Sequence, residues 1–558
     1  MTPLLSRGQP LSVDFPRLPS SVRPFVAAAS SGLLLVLAAP GVIDSRWPAL
    51  LAWVAFLPVL RHLPRVSAPR AALLGWLAGL VVTLGACSWF PGLLARFSGL
   101  PPLVALALTL ALATYQALGW AAWAAIVRVA SPALPLALVA PATFVAIERW
   151  MPVVFPGSVG ITQYRFLGIA QLAELGGPWA VTFLLVLAGA ALAGTLDAAR
   201  DHRALPWRAL AATGAVLAFA LLFGVVRLRQ IDAARARAPS LRVATIQAGV
   251  VRTGWRASPD DPERLARYQQ VSGEVERVLG PVDLLLWPEK AYPLPLRHDA
   301  RHDYREDHRG RVRRGFAGAL LFGTTSVDPR THAVGNSAAL LAPDGTLRIV
   351  YDKVRLIFYS EWLPSWLDGW VGGGKRYRPG STLDPFVLAV RDPADPALVR
   401  RVPISVFICF EATFPDHVRD LVARGSRLLV NLSDDSWFAR TSEPEQHLAS
   451  TVFRAIESRR DLVRATGSGI SAFIAATGDI ERRTGLNRSR AEADVALVGR
   501  VRLLGGVGFY SAAGDLFPAA CALVVLAGVT LSWWRSRRRP EGPHPEAAAT
   551  PPCKMSAR

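Results

Sequence analysis

Three residues that together could carry out covalent catalysis each follow an apolar run typical of a buried strand. Glu289 follows residues 283–287, Lys353 follows 347–351, and Cys409 follows 402–408. A thiol, a carboxylate and an ammonium in one site make a nucleophile, its general base, and a cation that lowers the thiol pKa and stabilises an oxyanion. Each residue alone also fits a structural role, as a buried core cysteine or a surface ion pair. The spacing therefore leaves both interpretations open.

The elements that would position these residues occupy the second half of the chain. Apolar, β-branched runs predict strands at 241–247, 283–287, 319–325, 337–341, 347–351, 402–408, 427–432 and 470–476. Helical periodicity appears at 262–279, 415–423 and 446–460. Strands that alternate with helices in this way predict a layered α/β or α+β domain.

The first half of the chain reads differently, because long apolar runs dominate it. A helix needs about 20 apolar residues to cross a bilayer. Eight runs are candidates, at 24–43, 47–60, 71–94, 100–127, 133–147, 178–196, 209–226 and 516–534, of which the second and fifth are short. The sequence therefore predicts a polytopic membrane protein with one large globular insert before its last helix.

Arginine distribution predicts the orientation of these helices. Arginines are frequent in the N-terminal segment, in alternate connections and in the C-terminal tail: Arg7, Arg17, Arg23, Arg61, Arg65, Arg70, Arg128, Arg200, Arg203, Arg208, Arg535, Arg537, Arg538 and Arg539. Cationic loops stay in the cytoplasm, so both termini are predicted there and the insert on the outer side. The arginines that follow residue 226 contradict the rule locally, but long translocated domains obey it poorly.

The distribution of charge argues against a nucleic-acid partner. The formal net charge is +20, yet the positive residues are dispersed instead of forming the single patch that a nucleic-acid binder needs. The chain has four lysines, at 290, 353, 375 and 554. Since lysine can titrate and arginine effectively cannot, a lysine within a motif merits attention. Four cysteines, two of them in apolar runs, provide no disulfide framework.

Three short motifs carry a family resemblance. They are Trp287-Pro288-Glu289, Lys353 with Glu361 ahead of Trp-Leu-Pro, and Cys409-Phe410-Glu411. These motifs resemble the signature blocks of the nitrilase superfamily of carbon-nitrogen hydrolases. Eight membrane helices with such a domain before the last one are similar to one branch, the apolipoprotein N-acyltransferases. Further matching blocks lie at 148–150, 170–172, 176–177, 247, 255, 435–438, 446–447, 454–457, 469–471, 510 and 514–515.

The resemblance implies a fold and a division of the chain. We expect a bundle of about eight membrane helices joined to an αββα sandwich of the nitrilase type. The expected parts are a membrane domain at 1–226 with seven helices, a periplasmic catalytic domain at 227–515, a last helix at 516–534 and a cytoplasmic basic tail at 535–558. The resemblance also implies a multi-pass protein of the bacterial inner membrane that acts as a monomer.

It further implies a two-step reaction with a catalytic triad of Glu289, Lys353 and Cys409. The Cys409 thiolate would take an acyl chain from the sn-1 ester of a phospholipid, and the amine of a diacylglyceryl-cysteine lipoprotein would then accept it. Supporting or substrate-binding roles fall to five further residues: Trp255, Glu361, Phe410, Glu411 and Trp437. For Glu361 and Glu411, an ordinary structural carboxylate remains an alternative. No metal or other cofactor is implied, and His417 and His447, which lack metal-ligand spacing with Cys409, are expected on helix surfaces or at caps.

Departures from the family pattern concern acyl-donor or acceptor specificity more than chemistry. Phe358-Tyr359-Ser360 stands where Pro-Phe-Gly is usual, Phe410 where Tyr is usual, and Asp434 and Gly467 where Asn is usual. They permit an alternative function, a membrane-anchored amidase or an acyltransferase with another amine acceptor. A non-catalytic membrane scaffold that kept the fold is a further alternative, against which the complete triad argues.

Overall fold

The computed structural model describes residues 19–98, 100–248, 262–358, 360–363, 376–391, 398–438, 441–485 and 495–538. Its first half is helical. The helices are α1 (Arg23–Ala38), α2 (Ala52–Ala55), α3 (Leu57–Leu60), α4 (Ala68–Ala86), α5 (Phe90–Ser98), α6 (Pro102–Ala130), α7 (Leu136–Trp150), α8 (Leu167–Ala170), α9 (Ala173–Gly176), α10 (Pro178–Arg200) and α11 (Trp207–Arg237).

Five of the described helices are long and apolar enough to cross a membrane. They are α4, α6, α10, α11 and the last helix, Leu516–Arg537. The predicted run 47–60 is instead a 3₁₀ turn (Trp47–Leu51) followed by α2 and α3, because Pro48 and Pro58 interrupt it. The predicted run 71–94 is divided between α4 and α5, and the boundary predicted after residue 226 falls inside α11.

Small residues let the membrane helices approach closely. A Cβ atom on Gly75 of α4 would lie 2.2 Å from the carbonyl oxygen of Trp120 on α6, so only glycine fits there. Beside this contact, the rings of Phe56, Trp120 and Phe144 pack with centroids 4.8–5.8 Å apart. These contacts join α4, α6 and α7 into one wall.

Two β-sheets form the centre of the second half. Its strands are β1 (Ser240–Gln247), β2 (Leu284–Trp287), β3 (Leu296–Arg297), β4 (Leu320–Val327), β5 (Val334–Leu341), β6 (Leu347–Asp352), β7 (Phe386–Arg391), β8 (Val399–Ile408), β9 (Leu428–Ser433), β10 (Leu462–Thr466), β11 (Ala472–Ile474), β12 (Ile480–Arg483) and β13 (Val495–Arg502). One sheet has the order β13-β1-β2-β4-β5-β6, with β3 paired to β4, and the other has the order β12-β11-β10-β9-β8-β7. The strand pairs β1-β2, β2-β4, β8-β9 and β9-β10 are parallel.

Helices cover the outer faces of both sheets. They are α12 (Pro262–Leu279), α13 (Pro415–Ala423) and α14 (Glu443–Ser458). The chain ends with the short helix α15 (Phe509–Ala513) and with α16 (Leu516–Arg537), which packs against the membrane helices α6 and α7. One core lies between the sheets, and two outer cores join α12 to the first sheet and α13 and α14 to the second. The four layers form the expected αββα sandwich of the nitrilase type. Each fully buried Leu, Ile or Val contributes about 1.5–3 kcal/mol, so the sheets hold the strand ends rigidly.

The membrane helices and the sandwich share a core and several ion pairs. Apolar residues that follow α7, from Tyr164 to Leu184, pack in the same cluster as α14. The Glu445 carboxylate on α14 pairs with Arg165 at 2.5 Å and with Arg483 of β12 at 2.9 Å. The Glu445 carboxylate is buried between two partly exposed arginines, and losing both of them would leave its charge uncompensated. The two parts of the molecule are therefore firmly joined.

Candidate active site

Cys409 lies at the carboxyl end of β8, at the start of a 3₁₀ turn (Cys409–Thr413). Its backbone adopts a left-handed conformation with φ +52°, which costs a non-glycine residue about 1–3 kcal/mol and is typical of functional sites. The ring Nε2 of His447 lies 3.0 Å from the Cys409 carbonyl oxygen and secures this turn. The side chain is 7% exposed, and it faces a cavity.

Glu289 follows β2 through Pro288 and is 5% exposed. One carboxylate oxygen accepts a hydrogen bond of 2.7 Å from Nδ2 of Asn336 on β5. The other accepts one of 3.1 Å from the backbone N–H of Asp434, which follows β9 in the second sheet. Glu289 is thus held between the two sheets with a fixed orientation, as a general base requires.

Lys353 follows β6 and is completely buried. Its Nζ lies 2.9 and 3.0 Å from the two oxygens of Glu361 and 3.8 Å from Glu289. Burial opposes its charged form, but Glu361, Glu289 and the Cys409 sulfur together raise the pKa of Lys353 well above its usual range. The ammonium is therefore permanently charged beside the thiol and the carboxylate.

The structure brings the three sequence-predicted catalytic residues together. Burial and the neighbouring Glu289 carboxylate raise the pKa of Cys409, and the Lys353 ammonium opposes that effect. The thiol is thus protonated at neutral pH, and it needs a base at the moment of attack. Glu289 is the adjacent carboxylate whose orientation suits this role, and Lys353 is the cation that can stabilise the negative charge formed afterwards.

The two supporting carboxylates do different things. Glu361 pairs with Lys353 and shares Nδ2 of Asn336 with Glu289, at 2.9 and 2.7 Å respectively. Glu411 accepts hydrogen bonds from Tyr351 Oη and from the backbone N–H groups of Ile408, Val354 and Arg355, all at 2.6–2.9 Å. It ties the loop after β6 to the turn after β8. Glu361 thus contacts the Lys353 ammonium directly. Glu411 instead bonds to Tyr351 and to backbone N–H groups, and in the described part of the chain it makes no hydrogen bond or ion pair with Lys353 or Glu289.

The aromatic residues expected at the site lie along the cavity. Phe410 is half-buried, and its ring packs edge-on against Phe414 and Phe155, with centroids 5.1 and 6.1 Å apart. Trp437 also lines the cavity. Trp255 lies outside the described residues. Phe410 thus connects the sandwich to Phe155 on the membrane side of the cavity.

Asn336 and His447 were not predicted as site residues. Asn336 bridges two carboxylates from within β5, and its signal in the sequence is an asparagine inside a strand, where this residue is rare. His447 and His417 were expected on a helix surface or at a cap, but both are buried. His447 hydrogen-bonds to the Cys409 carbonyl oxygen, and His417 to the Tyr351 hydroxyl group. Arg464 donates to Nδ1 of His447 at 2.9 Å, so Nε2 carries the hydrogen that bonds to Cys409.

A cluster of Asp435, Glu443 and His447 has ligand atoms close enough for a metal ion. Arg464, however, already lies 2.8 Å from Asp435 and neutralises it. Burial favours the neutral acid, but Arg464 and His447 lower the pKa of Asp435 to about 2. Asp435 and Arg464 therefore form a charged brace for His447, whereas Oε2 of Glu443 is buried without a hydrogen-bond partner among the described residues.

A cavity of about 1040 Å³ connects Glu289 and Cys409 with the membrane helices. Its apolar wall comes from α1, α4, α6 and α7, and includes Leu35, Val82, Leu108, Leu112, Trp120 and Phe144. Its polar end includes Glu289, Lys290, Glu361, Cys409 and His447. Pockets of this size enclose lipid-like or drug-sized ligands. The cavity thus places a reactive thiol at the polar end of an apolar chamber.

Among the positions that depart from the family pattern, Phe358, Ser360 and Phe410 line the cavity. Phe358 is 45% exposed, and Tyr359 lies outside the described residues. The Asp434 side chain accepts a hydrogen bond from the Ser436 N–H, and a Cβ on Gly467 would contact that side chain at 3.4 Å. These departures leave the triad geometry intact.

Two family models match the chain. The N-terminal domain of apolipoprotein N-acyltransferases matches residues 31–191, and carbon-nitrogen hydrolases match residues 242–502. An apolipoprotein N-acyltransferase of Geobacter metallireducens is 32% identical over 527 residues, covering 91% of this chain and 94% of the relative. Another from Azotobacter vinelandii is 31% identical over 542 residues, covering 92% and 98%. The chain therefore belongs to the apolipoprotein N-acyltransferase family.

Proposed function

We propose that this protein transfers a fatty acyl chain from the sn-1 position of a phospholipid to the N-terminal amine of a diacylglyceryl-cysteine lipoprotein. Membership of the apolipoprotein N-acyltransferase family supports the activity. The observation that carries the proposal is the cavity, which joins the Cys409 thiol to an apolar chamber made by membrane helices. A soluble hydrolase has no need of such a chamber.

In the first step, Glu289 takes the proton from Cys409 as the thiolate attacks the ester carbonyl carbon. Lys353 stabilises the oxyanion that forms. The ester C–O bond then breaks, Glu289 returns the proton to the departing glycerol oxygen, and a lysophospholipid leaves. Cys409 retains the acyl chain as a thioester.

In the second step, the lipoprotein amine attacks the thioester carbonyl, and the C–S bond breaks. Glu289 takes a proton from the amine and gives it to the sulfur. An amide forms and the free thiol is restored, so the reaction needs no cofactor. A thioester suits this exchange because amines attack it readily and a thiolate leaves well.

The proposal includes a location in the cell. The protein would be a multi-pass protein of the bacterial inner membrane with about eight crossing segments, both termini in the cytoplasm and the sandwich in the periplasm. The arginine-rich alternate connections support this orientation. We propose domain boundaries near residues 226, 515 and 534. We further propose that the protein acts as a monomer.

The decisive experiment is mass spectrometry of the Cys409 peptide after incubating detergent-purified protein with phospholipid and no acceptor. We expect a fatty-acyl adduct that is absent in Glu289→Gln and that a diacylated lipopeptide removes faster than water does. Cys521→Ser is the matched control, because Cys521 is buried in α16 away from the cavity. An unmodified Cys409 in folded protein would refute the phospholipid-donor mechanism, and rapid discharge by water would indicate a hydrolase.

A further inference from the structure

Lys290 is a second lysine at the polar end of the cavity, next in sequence to the catalytic Glu289. Its backbone has φ +52°, the same left-handed conformation as Cys409. Such a conformation is unfavourable for a lysine and needs support from the surrounding structure. It turns the half-buried side chain into the cavity, where Nζ lies 4.6 Å from the ring centroid of Tyr377.

The two lysines of the site differ in how their charge is compensated. Lys353 has two carboxylates within 4 Å. For Lys290, the described part of the chain supplies only the face of Tyr377, with no hydrogen-bond acceptor or carboxylate in ion-pair contact with Nζ. Burial opposes the charge, but Tyr377, Glu289 and Glu361 raise the pKa of Lys290, so the ammonium stays protonated. Among the described residues, this ammonium therefore has no anion in direct contact that would complete its contacts.

A second cation lies beside it. The guanidinium of Arg264 on α12 also lines the cavity, and its Nη2 donates to the Lys290 carbonyl oxygen. Two positive side chains therefore border the polar end of the chamber beside Glu289 and Glu361, and the walls made by the membrane helices are mainly aliphatic and aromatic. This pattern of an apolar body with a cationic rim matches a molecule that has acyl chains and one anionic group at their junction.

We propose that Lys290, with Arg264 beside it, binds the phosphodiester of the phospholipid acyl donor. The inference rests on the proposed function and specifies how the donor is recognised. In a glycerophospholipid only the glycerol carbons separate the sn-1 ester from the phosphate, so an ester at Cys409 brings the phosphate to the same end of the cavity. Lysine is a common phosphate ligand and acts as a point charge that tolerates different headgroups.

This assignment also separates the two half-reactions. The diacylglyceryl lipoprotein has no phosphate at its glycerol, and its amine is a cation until it loses a proton. Lys290 therefore attracts the donor and repels the protonated acceptor, so that only the neutral, nucleophilic amine is tolerated beside it. Lys290 thus favours binding of the donor in the first step and does not contribute to binding of the acceptor in the second.

The test compares two acyl donors with identical chains, phosphatidylglycerol and the corresponding diacylglycerol, in mixed micelles with Lys290→Met. We expect the rate of Cys409 acylation by phosphatidylglycerol, as kcat/KM, to fall about 10- to 100-fold, the effect of losing one charged hydrogen bond. Acylation by diacylglycerol should change less than about threefold. Lys290→Arg should restore the preference for the phosphate-bearing donor. Arg305→Met, which removes an exposed positive charge (91% exposed), should behave as the unaltered protein.

Each contrary outcome is distinct. An equal loss with both donors would mean that Lys290 acts on the triad and not on phosphate, and an unchanged rate with both would mean that it binds neither. Both results would overturn the assignment while acylation of Cys409 still supports the proposed function. If inorganic phosphate at millimolar concentration blocked the acylation of Cys409 by diacylglycerol, the site at Lys290 would bind the free ion and not the lipid. Absence of any acyl adduct in the unaltered protein would instead refute the proposed function itself.

Discussion

Replacing Glu361 by glutamine tests whether that residue positions Lys353 or moves protons. Glu361 lies 2.9 Å from the Lys353 Nζ and Glu289 lies 3.8 Å from it. At an effective dielectric constant of about 20, these carboxylates attract the ammonium by about 6 and about 4 kcal/mol. Burial favours the neutral acid, but Lys353 and Lys290 lower the pKa of Glu361, so the substitution does remove a negative charge.

The two carboxylates also repel each other. Both accept a hydrogen bond from the same atom, Nδ2 of Asn336, at 2.7 and 2.9 Å, so these two oxygens are at most 5.6 Å apart. At that separation and the same dielectric constant their repulsion is about 3 kcal/mol or more. Removing the Glu361 charge relieves this repulsion, and the net loss is therefore at most about 3 kcal/mol, or roughly a hundredfold.

We therefore expect Glu361→Gln to slow acylation of Cys409 by no more than about a hundredfold without changing the shape of its pH profile. The assay is the pre-steady-state rate of thioester formation, measured by mass spectrometry across pH. Glu289→Gln is the comparison, in which acylation should be lost altogether. A conservative Glu361→Asp variant should recover part of the rate. A loss in Glu361→Gln as complete as that in Glu289→Gln, or a changed pH profile, would refute the positioning role.

Three further predictions address the brace and the chamber. The pKa of Asp435 is about 2, against an ordinary value of 3.8. The charged carboxylate therefore stabilises the fold by about 2 kcal/mol above pH 4, and this contribution is lost as the pH falls towards 2. Asp435→Asn should remove that acid dependence from thermal unfolding curves. His447→Leu should slow acylation of Cys409 about 10- to 100-fold through the lost bond to its carbonyl, whereas His447→Gln, which can still donate, should lose less; equal losses would contradict this. Leu112→Trp should lower the ratio of kcat/KM for palmitoyl donors to kcat/KM for decanoyl donors, because each CH₂ group displaced from the chamber costs about 0.8 kcal/mol. An unchanged ratio would exclude Leu112 from the acyl site.

Much of the site was predictable because it depends on local signals. Apolar runs that end abruptly in Glu289, Lys353 and Cys409 mark the carboxyl ends of buried strands, and the strands β2, β6 and β8 end within one residue of the predicted positions. The helices Pro262–Leu279 and Pro415–Ala423 have the predicted bounds, since each begins at a proline that suits a first helical turn.

Other features depend on contacts that no local pattern contains. Asn336 acts through two carboxylates that are distant in sequence, and the tautomer of His447 is set by Arg464. β3, β7, β10, β12 and β13 were not predicted. β3 and β12 are short, and arginine interrupts the apolar runs of β10 and β13. The run at 47–60 has the composition of a membrane helix, yet its prolines divide it into short turns.

The ion pairs of Glu445 affect which acceptor amines can reach the thioester on Cys409. By binding Arg165 beside the membrane helices and Arg483 in the sandwich, this carboxylate fixes the position of the sandwich, and of Cys409 within it, relative to the membrane helices. An acceptor held in the membrane by its own acyl chains also presents its amine at one height, set by the few bonds between glycerol and the terminal amino group. We therefore expect the distance between membrane and thioester to select acceptors: a lipopeptide with one additional residue before its lipid-bearing cysteine would carry its amine past the thioester and stay unacylated in a transfer assay.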